Sequence, residues 1–338
     1  MSFNRSKLGA FGRIALALLG LSVFVRLILT SGVSLAMVAE VGGGALALLF
    51  LVSVAVNLLD TLGWARSLSR PSRPALGWLV LLRAAGEALT NVLPGGLVLG
   101  EAYKAMVLSR WKGVTLSEFG ASMVLVKFGL AITQSVFVLA GAVISYDLVR
   151  SQSDESLGAG AERWVLGAAL AVGVGLILAL ERILRGSALI STWTFLGRFP
   201  SSSVRSWLST RSGQIEDLDR RSTELMRERR QDLVPMLLFL SLGWISMVGE
   251  SYVILSALGL NPTLGMAFAV ESVGSLFRLI FFMVPSGIGG QDASYFALLR
   301  LYGASDASIG LFVLLKRSKE LLWIGIGLGS MLAFRRRR

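Results

Sequence analysis

The chain has 338 residues, 54 % hydrophobic and only 16 % charged, where an average soluble domain carries about 25 % charged residues. With no Cys and no His, disulfides, thiolate and imidazole metal sites, and hydrolytic triads built on Cys or His are excluded. A formal net charge of +12 would point to nucleic acid in a soluble protein. Beside recurrent apolar runs of about 20 residues it reads instead as Lys and Arg held in cytoplasmic loops against anionic lipid, and no nucleic-acid-binding motif competes.

Arg5, Lys7 and Arg13 precede a first apolar span at 14–32. A second, at 41–60, leads to a loop with Arg66, Arg70 and Arg73, so both flanks read as cytoplasmic. A cleaved signal peptide is the alternative for residues 1–38; Arg26 interrupts its apolar stretch, and no clear cleavage site follows. Residues 75–108 begin after Pro74 and end at Arg110 and Lys112, both ends basic, with a helix-breaking LPGG at 93–96. That pattern predicts a re-entrant hairpin, tolerated at membrane depth only inside protein or beside a wet cavity.

A long helix is expected at 117–146, then an external acidic loop with Asp147, Asp154, Glu155 and Glu162, and a span at 164–183. Residues 185–232 form the longest polar stretch, arginine-rich and cytoplasmic; 213–232 reads as a charged helix on the membrane surface. A span at 233–256 follows, then a second hairpin at 264–302 broken around PSGIGG at 285–290, and a last helix at 305–334 ending in Arg335 to Arg338. The expected architecture is one all-α, polytopic membrane domain over 1–338. It has six full spans, two re-entrant helical hairpins, a first half at 14–146, a second at 233–334, and both termini in the cytoplasm.

The two halves repeat. Pro94 is followed by Gly96 at two residues, Glu101 at seven and Gly113 at nineteen, with Lys127 fourteen further on. Pro285 is followed by Gly287 at two, Asp292 at seven and Gly303 at eighteen, with Arg317 fourteen further on. The charge pattern has the hairpins entering from opposite sides, an inverted-topology repeat of the kind that places substrate sites at the midplane between broken helices.

Ionisable groups at that depth cost on the order of 2.5–3.5 kcal/mol for Arg, Lys or Asp on insertion scales. Each of Arg83, Glu87, Glu101, Lys104, Lys127, Glu250, Glu271, Arg278, Asp292, Arg317 and Lys319 therefore needs a partner or a purpose. One reading is structural: Glu101 pairs with Lys127 and Asp292 with Arg317, or the acids sit in the first turns of short helices. The other is functional. Half-helix N-termini at Gly95–Gly96 and at Gly287, Gly289 and Gly290 attract an anion. Lys104, Lys127 and Arg317 receive a phosphate head group, Glu101 and Asp292 balance charge or relay a proton, and Asn91 and Gln291 line the cavity beside Pro94 and Pro285. No metal and no cofactor is expected.

NVLPGGLVLGEAYKAMVLSRWKG (91–113), PSGIGGQDASYFALLRLYG (285–303) and LLKRSKELL (314–322) resemble the signature stretches of the lysylphosphatidylglycerol synthase transmembrane-region family of flippase-like proteins. The second stretch is most similar to the hopanoid-biosynthesis-associated subset. The resemblance implies a bacterial inner-membrane lipid translocase, or a lipid-trafficking protein, built on paired re-entrant helices, with Pro94, Glu101 and Lys104 matching the first motif and Pro285, Gly287, Asp292 and Arg317 the second. Two positions depart from it: Lys127 stands where many relatives have an acid, and Asp292 where many have Glu. The synthase members carry a soluble aminoacyl-transfer domain after the membrane region; with the chain ending at Arg338 that activity is not expected, and neither is enzymatic activity. The expected function is movement of a lipid or lipid-linked molecule between leaflets. The alternatives are a scaffold that recruits a lipid-synthesis enzyme through 185–232, and a membrane enzyme using Glu101 and Asp292 as acid and base.

Overall fold

Gly-rich, Pro-punctuated apolar runs with no alternating pattern fold here as helices throughout, and there is no strand among the described residues. The computed structural model describes residues 3–93, 96–152, 230–281 and 284–335, together with scattered positions between 167 and 224. In chain order the helices are α1 (Phe3–Ser31), the short α2 (Leu35–Glu40), α3 (Gly43–Ser67), α4 (Leu76–Val92), α5 (Gly96–Lys112) and α6 (Leu116–Gln152). Then come α7 (Arg230–Ala257), α8 (Leu264–Ile280), α9 (Gly290–Leu301) and α10 (Asp306–Arg335). Hydroxyl caps start four of them: Ser34 accepts from the Met37 N–H before α2, Thr115 from the Glu118 N–H before α6, Thr263 from the Met266 N–H before α8, and Ser305 from the Ser308 N–H before α10.

Three of the expected spans, Gly43–Ser67, Leu116–Tyr146 and Gln231–Ala257, are long and apolar enough to cross a membrane. Ala15–Ser31 is a shorter apolar helix of the same kind. The 30-residue α10 has the length but carries Lys316, Arg317, Lys319 and Glu320 within two turns, which interrupts its apolar run. Nearly all of the expected span at 164–183 and of the expected loop at 185–232 lies outside the described residues; the end of that loop, from Arg230, belongs to α7.

Both expected breaks are present. Helix stops at Val92 and resumes at Gly96, with Pro94 and Gly95 outside the described residues. In the second, helix stops at Ile280, the chain makes a 3-10 turn at Pro285–Gly287, and α9 starts at Gly290. The hairpins differ in depth. α4 and α5 have 17 residues each, roughly 25 Å at 1.5 Å per residue, close to the full hydrocarbon thickness. α9 has 12, roughly 18 Å by the same rise.

α3 packs on α7, α4 on α10 and α6 on α8; α4 and α5 form one hairpin, α8 and α9 the other, and α1 lies against α9 and α10. Small residues let these backbones close up, as they do where lipid removes the hydrophobic drive between helices. A Cβ on Gly327 of α10 would stand 2.3 Å from the Ala84 carbonyl oxygen of α4, and one on Gly100 of α5 would stand 2.2 Å from the Gly86 carbonyl. Trp78, Trp111 and Phe334 meet at one end with ring centres 5.8–6.2 Å apart. The open end of the first hairpin therefore lies beside the C-terminus of α10. α9 instead turns through Gly303 into the N-terminus of α10, where Arg300 holds Asp306 with two bonds of 2.7 and 2.8 Å. The two hairpins open toward opposite ends of α10. Outside this bundle Leu18, Leu51, Leu116, Val143, Val234 and Leu321 are exposed, an outer surface suited to lipid tails and not to water.

Candidate functional site

One turn of α10 organises the second half. Lys316 reaches Glu250 of α7 at 2.9 Å and Glu271 of α8 at 2.5 Å, while Lys319 takes both oxygens of Glu250 at 2.8 and 2.9 Å. The Ser251 hydroxyl donates to Glu271 as well. Glu250 is 0 % exposed and Lys316 8 %; two acids and two lysines balance there, with only Lys319 partly exposed. From the same turn Arg317 binds Asp292 of α9 at 2.8 Å, Glu320 at 2.5 Å and the Ser286 carbonyl of the second break at 3.1 Å. Burial would make any single one of these charges costly; mutual pairing removes most of that penalty.

Asp292 is the third residue of α9, and its other oxygen accepts the Gly289 N–H at 2.8 Å. The positive end of this half-helix is thus filled by the protein's own carboxylate. Ser286 and Gly289 hold positive φ values of 53° and 81°, which brings Gly289 so near α1 that a Cβ there would stand 2.3 Å from the Gly20 carbonyl oxygen. Gln291 is spent on the Tyr295 hydroxyl at 2.8 Å and is buried. Gly287 packs on Arg278 of α8 and Gly290 on Phe281, the residue that caps that helix.

In the first half Glu101 sits in the second turn of α5, not the first. It is held between Lys104 at 2.7 Å and Lys127 of α6 at 2.9 Å. Gly96, at the start of α5, is buried, and a Cβ there would stand 2.1 Å from the Leu89 carbonyl oxygen of α4. Arg83 of α4 donates to Asp60 of α3 at 2.8 Å, to Asn57 at 3.0 Å and to Glu87 at 2.5 Å.

The pairs Glu101–Lys127 and Asp292–Arg317 are both formed, as the structural reading of those charges expects. It also changes which cations can meet a ligand. Lys104 and Arg317 are enclosed by their partners, whereas Lys127 is 49 % exposed and Arg278 39 %. Arg278 bridges the two breaks: it donates to Glu320 at 3.2 Å and to Asn91, in the last turn of α4, at 3.4 Å. The 3-10 turn also packs on α4, so the ends of both half-helix pairs converge there.

Asp60, Lys316 and Glu320 escape a reading of the sequence alone. Asp60 reads as the polar end of an apolar span, although α3 continues seven residues beyond it. Lys316 and Glu320 are signalled only by helical spacing within KRSKE, where three- and four-residue steps point charges at different neighbours.

These features define a multi-pass helical membrane protein with charge clusters built at the ends of broken helices. The chain belongs to the lysylphosphatidylglycerol synthase TM region family, whose model matches residues 9–329, and it is therefore a membrane protein of a family tied to lipid metabolism. No curated protein and no solved structure matches it.

Proposed function

We propose that this protein moves a lipid or lipid-linked molecule between the leaflets of a bacterial inner membrane, both termini cytoplasmic, with the head group passing between the two hairpins. The observation that carries this is the pair of half-exposed cations: Lys127, tied by Glu101 to the half-helix that starts at the first break, and Arg278, at the end of α8 beside the second break and tied by Glu320 to α10. A phosphate-bearing head group can replace a carboxylate on either without uncovering the buried pairs behind them.

The hairpins are read as an inverted repeat of α3–α6 and α7–α10. Exchanging the two sets maps their contacts onto one another: α3 with α7 onto itself, α4 with α10 onto α8 with α6, and each hairpin onto the other. Asp60 and Glu250 each stand seven residues before the end of their helix. Lys127 and Arg317 each stand fourteen past a glycine of φ 68° or 78°. The opposite directions in which the hairpins open along α10 also support this reading.

The test is leaflet exchange of labelled lipids in liposomes, comparing wild type with Lys127→Gln and Arg278→Gln at equal folded yield. Loss of a charge-assisted hydrogen bond, about 1.5–3 kcal/mol, predicts exchange roughly ten- to a hundred-fold slower in each. No exchange by wild type across phospholipids, hopanoids and isoprenoid-linked lipids, beside a working positive control, would favour an accessory subunit of a lipid-synthesis enzyme.

A further inference from the structure

The clusters of the first half are unequal in charge. Asp60 and Glu87 share one guanidinium, Arg83, which stays protonated in proteins, so this group carries one excess negative charge when both acids are ionised. Glu101 is shared by two lysines, leaving one excess positive charge. The second half shows no such split: Glu250 and Glu271 face Lys316 and Lys319, and Asp292 and Glu320 face Arg317 and Arg278.

The two unequal clusters adjoin. Lys104 runs across α4 at Gly86, where a Cβ would stand 2.9 Å from its Cδ; Gly86 lies between Arg83 and Glu87 in sequence. The Lys104 ammonium stands 5.1 Å from the ring centre of Trp64, one helical turn past Asp60. On the α7 side Asp60 faces Gly243, where a Cβ would stand 2.5 Å from its Oδ1, and the acids of α7 are engaged elsewhere: Asp232 with Arg66, Glu250 with Lys316 and Lys319. From α6 comes Lys127, on Glu101. Six charges thus sum to zero, with the excess positive end at half-exposed Lys127 and the excess negative end at Glu87, 42 % exposed.

We propose that Asp60, Arg83 and Glu87 form a proton-binding site that fills when an anionic head group occupies Lys127. This rests on the translocation reading above. A head group on Lys127 uses up the positive charge that offsets the second carboxylate. One proton from water then adds to an oxygen of Asp60 or Glu87, converting a carboxylate to a neutral acid and restoring balance; it leaves when the head group does. Lipid movement is thereby coupled to a proton gradient, about one proton per anionic lipid.

The experiment is proton uptake on binding of short-chain phosphatidylglycerol, with phosphatidylcholine as the zwitterionic comparison. It is read by calorimetry of the full chain in detergent, in buffers of different ionisation enthalpy near neutral pH. Wild type is expected to take up close to one proton per phosphatidylglycerol bound and none with phosphatidylcholine. Asp60→Asn and Glu87→Gln each leave Arg83 with one carboxylate and the group with one positive charge at half-exposed Lys127, which a head group neutralises without a proton, so both are expected to lose uptake per lipid bound. Binding without uptake in wild type, or uptake that survives in both variants, overturns the proton site and leaves translocation standing. No binding of phosphatidylglycerol with leaflet exchange intact overturns the coupling alone; absence of both overturns the reading beneath it as well.

Discussion

Lys316→Met is expected to lower unfolding stability in detergent by about 3–5 kcal/mol, the cost of breaking a buried ion pair from one side. Lys316 is the only charged partner Glu271 has among the described residues, and Glu271 is buried. Without the lysine it keeps the Ser251 hydroxyl alone. Glu250 is better insured, since Lys319 binds both its oxygens, so Lys319→Met should cost clearly less. Adding Glu271→Gln to Lys316→Met should recover part of the loss, because the uncompensated charge is then gone; contacting residues couple by about 0.5–3 kcal/mol. Denaturant unfolding of the three variants beside wild type checks all of this. A Lys316→Met protein within about 1 kcal/mol of wild type would mean that water or lipid head groups reach this cluster, well inside the range single substitutions commonly show.

Gly289→Ala should disrupt the second break at its contact with α1. Two penalties meet there: a left-handed backbone of φ 81°, strain of order 1–3 kcal/mol for a residue with a Cβ, and a methyl group 2.3 Å from the Gly20 carbonyl oxygen. Both neighbours are backbone, so neither can rotate aside, and α1 must move. Spin labels on Cys introduced at exposed Leu18 of α1 and Ala297 of α9 read that movement directly, because the chain has no native Cys. Gly325→Ala, with nothing within 4 Å of its Cβ position, is the control and should leave the distance unchanged.

The sequence reading of the architecture rested on punctuation and charge, and those are local signals. Pro94 and Pro285 with their glycines locate both breaks because a helix cannot run through them. Gly113 and Gly303 locate the turns because only a left-handed residue closes them, as their φ values of 68° and 78° record. Pairing across helices was legible only where spacing repeated, as for Glu101 with Lys127 and Asp292 with Arg317. The direction in which a side chain leaves its helix depends on phase, which apolar runs leave undetermined. Thus Asp60, two turns short of the end of α3, reads as a span's end, and Lys316 passes as one more base beside Arg317. The exposed cation at the meeting of the breaks, Arg278, was visible as a charge but not as a bridge to Asn91, since 187 residues separate them.

The charged turn of α10 also constrains how this sequence can vary in length. From this turn Lys316 and Lys319 meet Glu250 of α7, Lys316 also meets Glu271 of α8, Arg317 meets Asp292 of α9 and the second break, and Glu320 meets Arg278 of α8. Each residue of helix advances the side-chain direction by about 100°. An insertion or deletion of one residue anywhere between the Gly303 turn and Lys316 would rotate all four away together, and no single compensating substitution could restore them. That interval of thirteen residues, from Gly303 to Lys316, is a ruler: homologous chains that keep these pairs should gain and lose residues in the connecting loops and never within it.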